Sequence, residues 1–247
     1  MPDLTPTSWA LAAAAAFALG VGKGGFAGLS IVHVLVFAFL FGARDSTGIV
    51  LPMLLVGDVC AVAAFHRHAQ WKYVRRMLPP ACVGVVTGAL LMRGMSNSSF
   101  KPVIGALILG LTGLQVLRMM RPLWFAAVPH TRAFAWVMGG LAGIATMLAN
   151  AAGPIFTLYC VAVSLPKFEV VGTIAWFFFI INAFKVPFSV ALGLIDAHTL
   201  LLNAALAPAV IAGVLGGRWL VARLPQRMFE LLVLGFAALA ALRLLLG

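Results

Sequence analysis

The chain has 247 residues, of which 63% are hydrophobic and 9% charged, and its mean hydropathy is +1.09. A soluble domain has too little interior to hide that much apolar surface, so the composition excludes a water-soluble globule and reads as an integral membrane protein. The net charge of +11 belongs to basic loops that face anionic lipid headgroups; no long basic stripe interleaved with aromatics is present to carry a nucleic-acid footprint.

In chain order, the opening stretch MPDLTPTSWALAAAAAFAL carries Asp3 and lacks a basic n-region. Its apolar pattern runs on past any cleavage site, so it is expected to remain in the mature protein. Eight hydrophobic blocks follow, at about 9–41, 47–65, 74–92, 102–117, 133–165, 170–193, 199–217 and 228–246. Two of them are too long for one crossing. About 33 residues would make a rod of about 50 Å, against a hydrocarbon core of about 30 Å. Each long block also holds helix-weakening residues near its middle: GVGKGG (Gly20 to Gly25) in the first and NAAGP (Asn150 to Pro154) in the second. Each is therefore predicted to break and double back.

Loop charge supports the doubling back. The loop HRHAQWKYVRR (66–76) is basic and belongs inside by the positive-inside rule. If both long blocks return to their starting side, loops 66–76, 118–132, 166–169 and 218–227 all lie inside. Only Arg44, Arg93, Lys101 and Arg243 are then left outside. Single crossings would split the basic residues almost evenly. The two halves also echo one another at an offset of about 124–125 residues: Asp58 falls on Asn182, TGALLMR (87–93) on AGVLGGR (212–218), and Gly28 on Gly153. The fold expected is an all-α polytopic membrane protein made of two inverted repeats, 1–120 and 121–247. Each repeat is a broken-helix hairpin plus three transmembrane helices. Inverted repeats with interrupted helices are a transporter architecture whose substrate site lies near the midplane.

Broken helices leave backbone groups unpaired, which survives at that depth only inside protein or along a wet cavity. Glycine lets a ligand approach the backbone, and a half-helix N-terminus suits an anion. Gly22, Lys23, Gly24 and Gly25 in the first break, with Asn150 and Gly153 in the second, are therefore candidate anion-binding residues. Gly84/Gly88, Gly139/Gly143 and Gly213/Gly217 share small-xxx-small spacing and read as helix-packing pairs. Lys185 lies about ten residues inside its block, too deep to snorkel comfortably, and an intramembrane charge is a functional hypothesis by default. Asn182 and Thr146 would add neutral hydrogen bonds. Asp58 is the acidic residue well inside a span, as partner of Lys185, as proton carrier, or as both. His33 reads first as a packing or hydrogen-bonding residue and second as a ligand. His66 and His68 read as solvated loop residues, and Trp71, Trp124, Trp136 and Trp219 as interface anchors.

Cys60, Cys82 and Cys160 stand singly in apolar runs, with neither a disulfide framework nor metal-ligand spacing. No HExxH, GxSxG or phosphate loop is present, so neither an enzyme nor a cofactor is expected.

Three stretches carry a family resemblance. GVGKGGFAGLSI (20–31) resembles the N-terminal glycine motif of the sulfite exporter TauE/SafE permeases. LPMLLVGDVCAV (51–62) resembles their second span. GGLAGIATMLANAAGPIFTLYCVAVSLPKFEVVGTIAWFFFIINAFKVPF (139–188) resembles their second-half signature. The resemblance implies movement of sulfite, sulfoacetate or another organosulfonate across the bacterial cytoplasmic membrane. The expected partners are thus a small anion and the bilayer, with a proton as candidate coupling ion and a homodimer as candidate assembly. An anion channel and a non-transporting membrane scaffold are the rival functions.

Overall fold

A computed structural model describes residues 4–25, 30–95, 97–120, 131–163 and 165–223. Among these residues there are nine α-helices and no strand: α1 (Pro6–Lys23), α2 (Ser30–Phe41), α3 (Asp45–Phe65), α4 (Trp71–Gly94), α5 (Asn97–Met120), α6 (Arg132–Ala149), α7 (Gly153–Ala162), α8 (Lys167–Ala191) and α9 (Ala197–Arg223). Five of the helices, α3, α4, α6, α8 and α9, are long and apolar enough to cross a bilayer. The block at 228–246, Trp124, Arg243 and the Gly28 match lie outside the described residues.

Both long hydrophobic blocks are broken, and the helix ends have local causes. Pro6 opens α1 behind Thr5, whose Oγ1 accepts from the Ser8 N–H at 3.2 Å. Thr131 caps α6 in the same way, accepting from the Phe134 N–H at 3.1 Å. α6 ends where Asn150 turns left-handed, at φ 52°, with its N–H donating to the Thr146 carbonyl at 3.0 Å. α7 then begins at Gly153 with Pro154 in its first turn. At ten residues it is about 15 Å long, half a crossing.

The first break falls at the C-terminal end of its glycine stretch. α1 runs through Gly20, Val21 and Gly22 to Lys23, and the chain leaves the helix at Gly24 and Gly25, the latter at φ 127°. The reason is packing. Gly20 and Gly24 face α9, where a Cβ on Gly24 would lie 2.6 Å from the Val214 carbonyl oxygen and 2.8 Å from the Cα of Gly217. These glycines let two helices touch backbone to backbone. Gly84 and Gly143 do the same between α4 and α6, with the Cβ position of Gly84 only 3.0 Å from the Cα of Gly143. Close packing of this kind holds helices together in lipid, where burial of apolar surface supplies no drive of its own.

The contact register gives helix directions. Gly20 meets Gly213 and Gly24 meets Gly217, so α1 and α9 run parallel. Gly139 meets Pro80 and Gly143 meets Gly84, so α4 and α6 are parallel as well. α3 and α8 are antiparallel: Gly48 packs on Leu194, and at the other end Phe65 and His68 pack on Gly172. The Gln70 N–H also donates to Thr173 Oγ1 at 3.0 Å, tying the loop after α3 to the start of α8. α9 starts from a reciprocal cap in which the Thr199 N–H donates to Asp196 Oδ1 at 2.7 Å. That bond holds the Asp196 carboxyl below the usual carboxylate range.

Apolar packing falls into two clusters. One is made chiefly by α4, α6, α7 and α8, with Phe156 and Phe177 stacked at 4.2 Å in its interior. The other is made chiefly by α1, α3 and α9. α2 touches both, through Val34 and Leu35 on one side and Phe37 on the other. The division expected between residues 120 and 121 follows the sequence, whereas packing crosses it. α4 belongs with the second-half helices and α9 with the first.

Candidate functional site

The buried polar side chains gather where the two clusters meet, along the α3–α8 seam. Lys23 ends α1, where the carbonyl end of the helix dipole favours a cation. Its Nζ donates to Asp58 Oδ1 at 2.5 Å and sits 4.8 Å from the centre of the Phe178 ring. Asp58 is fully buried near the middle of α3, and the Lys23 side chain is 13% exposed. Gly57 makes room for the pair, since a Cβ there would lie 3.0 Å from Lys23 Cγ. Sequence reasoning passed over Gly57, although its place directly before the buried aspartate was a signal.

From Asp58 the network crosses to α8. Asn182 Nδ2 donates to Asp58 Oδ2 at 2.7 Å. Lys185 lies one turn further along the same face of α8. Its Nζ donates to Asn150 Oδ1 at 2.5 Å, to Thr146 Oγ1 at 3.1 Å and to Asn182 Oδ1 at 3.4 Å. Asn182 thus gives its amide N–H to the carboxylate and its carbonyl oxygen to the ammonium. Asn150 Nδ2 finishes the chain by donating to the Thr47 carbonyl at 2.8 Å. A cavity of about 10 Å³, room for a single water, lies beside Ser46, Thr47 and Asn150.

Of the ten residues picked out from the sequence, six form one hydrogen-bonded assembly: Lys23, Asp58, Thr146, Asn150, Asn182 and Lys185. Asp58 pairs with Lys23 directly and reaches Lys185 only through Asn182. Gly153 is buried at the start of α7, three residues after Asn150. Gly22 and Gly25 flank Lys23 at the end of α1, and Gly25 N–H donates to the Gly22 carbonyl at 3.4 Å. Gly24 is turned against α9.

His33 reads from the sequence first as a packing or hydrogen-bonding residue and second as a ligand. It is 1% exposed on α2, and among the described residues neither ring nitrogen has a hydrogen-bond partner. Buried polar atoms are almost always paired, so a histidine orphaned at both nitrogens is a feature to be explained. Among the described residues no three His, Cys, Asp or Glu side chains come together in a way that would hold a metal ion. Cys60 and Cys82 are free thiols.

The arrangement can stabilise a small anion: two lysines within a low-dielectric interior, bracketed by two chain breaks and separated by one carboxylate. The family model described as sulfite exporter TauE/SafE matches residues 11–244, nearly the whole chain. Comparison with curated proteins and with solved structures gave no match.

Proposed function

Because the chain belongs to the sulfite exporter TauE/SafE family, whose members are membrane transporters, we propose that it is a secondary transporter of a small sulfur-containing anion. Sulfite, sulfoacetate and other organosulfonates are the substrates in view, and a bacterial inner membrane is the location. The observation that carries this reading is Lys185. A lysine kept for structure alone would be expected to hold a carboxylate. Lys185 is 1% exposed and bonded to the neutral oxygens of Thr146, Asn150 and Asn182. Its charge therefore stays available to a passing anion.

Asp58 is the proposed coupling group. Protonating it would break the pair with Lys23 and release that cation toward the substrate. The antiparallel α3–α8 pair and the matching α1–α9 and α4–α6 pairs support an inverted-repeat reading, in which one apolar cluster rocks against the other and the polar seam opens to alternate sides. Burial of Asp58 and Lys185 favours such gated access over an open anion channel.

The test is flux. In proteoliposomes, Lys185→Met is expected to lower sulfite or sulfoacetate transport by roughly a hundredfold or more, the scale of losing one buried charge contact. A Lys185→Met protein that folds and transports as well as the wild type would sink the site assignment.

A further inference from the structure

The start of α3 is held by two asparagine amides from distant parts of the chain. Asn150 Nδ2, at the break after α6, donates to the Thr47 carbonyl at 2.8 Å, and Asn203 Nδ2, on α9, donates to the Ile49 carbonyl at 2.9 Å. Between those two carbonyls lies that of Gly48, which in a regular helix would bond the N–H of residue 52 and finds Pro52 there instead. Gly48 also backs directly onto Leu194, in the turn after α8. The first turns of α3 are therefore weakened within the helix and fastened from outside it.

Weakness is concentrated at this end of the seam. α3 and α8 have one internal proline each, Pro52 and Pro187. Because the helices are antiparallel, both prolines fall toward the end away from the basic loop 66–76. A proline removes a helix hydrogen bond and is a common site of bending. The turns that emerge at this end contain Gly42, at φ 85°, and Gly193, at φ 70°, each with nothing within 4 Å of its Cβ position. At the opposite end Gly172 packs on Phe65 and His68, and the Gln70 N–H is bonded to Thr173.

Asn150 is the fastening that reaches the buried network. Its Oδ1 accepts from Lys185 at 2.5 Å while its Nδ2 donates to Thr47, so one amide carries both bonds and cannot turn away from one partner and keep the other. The cavity of about 10 Å³ beside Asn150 is lined by Ala43, Ser46 and Thr47 but not by Lys185. The amide thus stands between that cavity and the lysine.

We infer that the end of the seam away from the basic loop is a latched gate: Asn150 fastens the first turns of α3, Lys185 holds the Asn150 amide in place, and the gate opens by bending at Pro52. The inference rests on the transport reading and deepens it, since the lysine proposed to meet the anion also holds the latch. An anion that draws Lys185 away leaves Asn150 Oδ1 without that donor and frees the amide to release Thr47. Occupancy of the site and opening of this end are linked through a single side chain.

Access to position 46 tests this. With Cys60, Cys82 and Cys160 replaced by alanine, Ser46→Cys puts a thiol on the cavity wall, where burial shields it while the gate is closed. Its rate of reaction with N-ethylmaleimide is followed by mass spectrometry on the purified full-length protein in detergent. Asn150→Gly is expected to raise that rate by about tenfold, the weight of one buried hydrogen bond. Asn150→Asp keeps an acceptor for Lys185 but loses the donor to Thr47, and should raise it as well. Unchanged rates in these variants would overturn the latch, and if the glycine variant does not fold the aspartate variant decides. Lys185→Met should also speed labelling, and Lys185→Met with Asn150→Gly should be no faster than Asn150→Gly alone. Independent, multiplying effects would overturn the relay from Lys185 to Thr47. Pro52→Ala added to Asn150→Gly is expected to slow labelling again, and no slowing would overturn the hinge. Sulfoacetate separates the latch from the reading it rests on: faster labelling of Ser46→Cys in its presence supports both. If sulfoacetate changes nothing while the variants open as expected, the latch stands and the anion reading loses its support.

Discussion

Asn150 performs two tasks that substitution can separate. Its backbone sits at φ 52°, in the left-handed region that asparagine tolerates better than most residues and glycine tolerates freely. Its side chain joins Lys185 to the Thr47 carbonyl. Asn150→Gly keeps the turn and deletes both bonds; Asn150→Ala deletes the bonds and adds about 1 kcal/mol or more of backbone strain. The expected outcome is that both variants lose transport in proteoliposomes, while thermal unfolding in detergent ranks the alanine variant below the glycine variant. Equal melting of the two would mean that the turn carries no strain. At this scale the sequence was informative where a polar residue stood in an apolar run: Asp58, Asn150, Asn182 and Lys185 all stood out in this way. Their partners were harder to read. Asp58 takes Lys23, from a helix in a different part of the chain, and no spacing rule connects residues 23 and 58. His33 read first as a packing residue, because its lack of a partner exists only in three dimensions.

Helices here are held by backbone approach, and glycine marks the places. Gly143 on α6 lies against Ala81 and Gly84 of α4 closely enough that any Cβ would overlap backbone. Gly110 on α5 has nothing within 4 Å of its Cβ position. Gly143→Val is therefore expected to destabilise the protein by about 1–3 kcal/mol or more, and Gly110→Ala to stabilise it by up to about 1 kcal/mol through helix propensity. Melting temperature and monodispersity on gel filtration would register both. A Gly143→Val protein as stable as the wild type would show that α4 and α6 do not pack as described. The same physics explains why the first break falls at the end of its glycine stretch. Glycine weakens a helix locally and also admits a neighbouring helix, and one sequence cannot say which it is doing. In GVGKGG the packing partner is α9, nearly two hundred residues later, so α1 persists to Lys23. In NAAGP a left-handed asparagine and a proline allow only a stop and a restart, and the break falls where it was expected.

For the molecule as a whole, block length and hydropathy were enough to read an all-helical membrane protein with two interrupted segments. Those properties are local sums that need no knowledge of neighbours. The exchange of α4 and α9 between the two apolar clusters had no such signal, because it depends on which glycine faces meet. The exchange sets the polar seam between the clusters, and the direction of α3 and α8 along that seam has a consequence for topology. Asp58 and Asn182 meet near the middle of two antiparallel helices, so the loop after α3 and the turn after α8 must emerge on opposite faces of the membrane. Arg67 lies in the first of these and His198 just beyond the second, and both are exposed. With Cys60, Cys82 and Cys160 replaced by alanine, Arg67→Cys and His198→Cys are expected to differ in access to a membrane-impermeant maleimide added to spheroplasts. His198→Cys should react in intact spheroplasts, and Arg67→Cys only after lysis, the outcome expected when the positive-inside rule sets the side of the basic loop. Labelling of both from one side would break the antiparallel seam, and with it the geometry that places one lysine from each half of the chain around a single buried carboxylate.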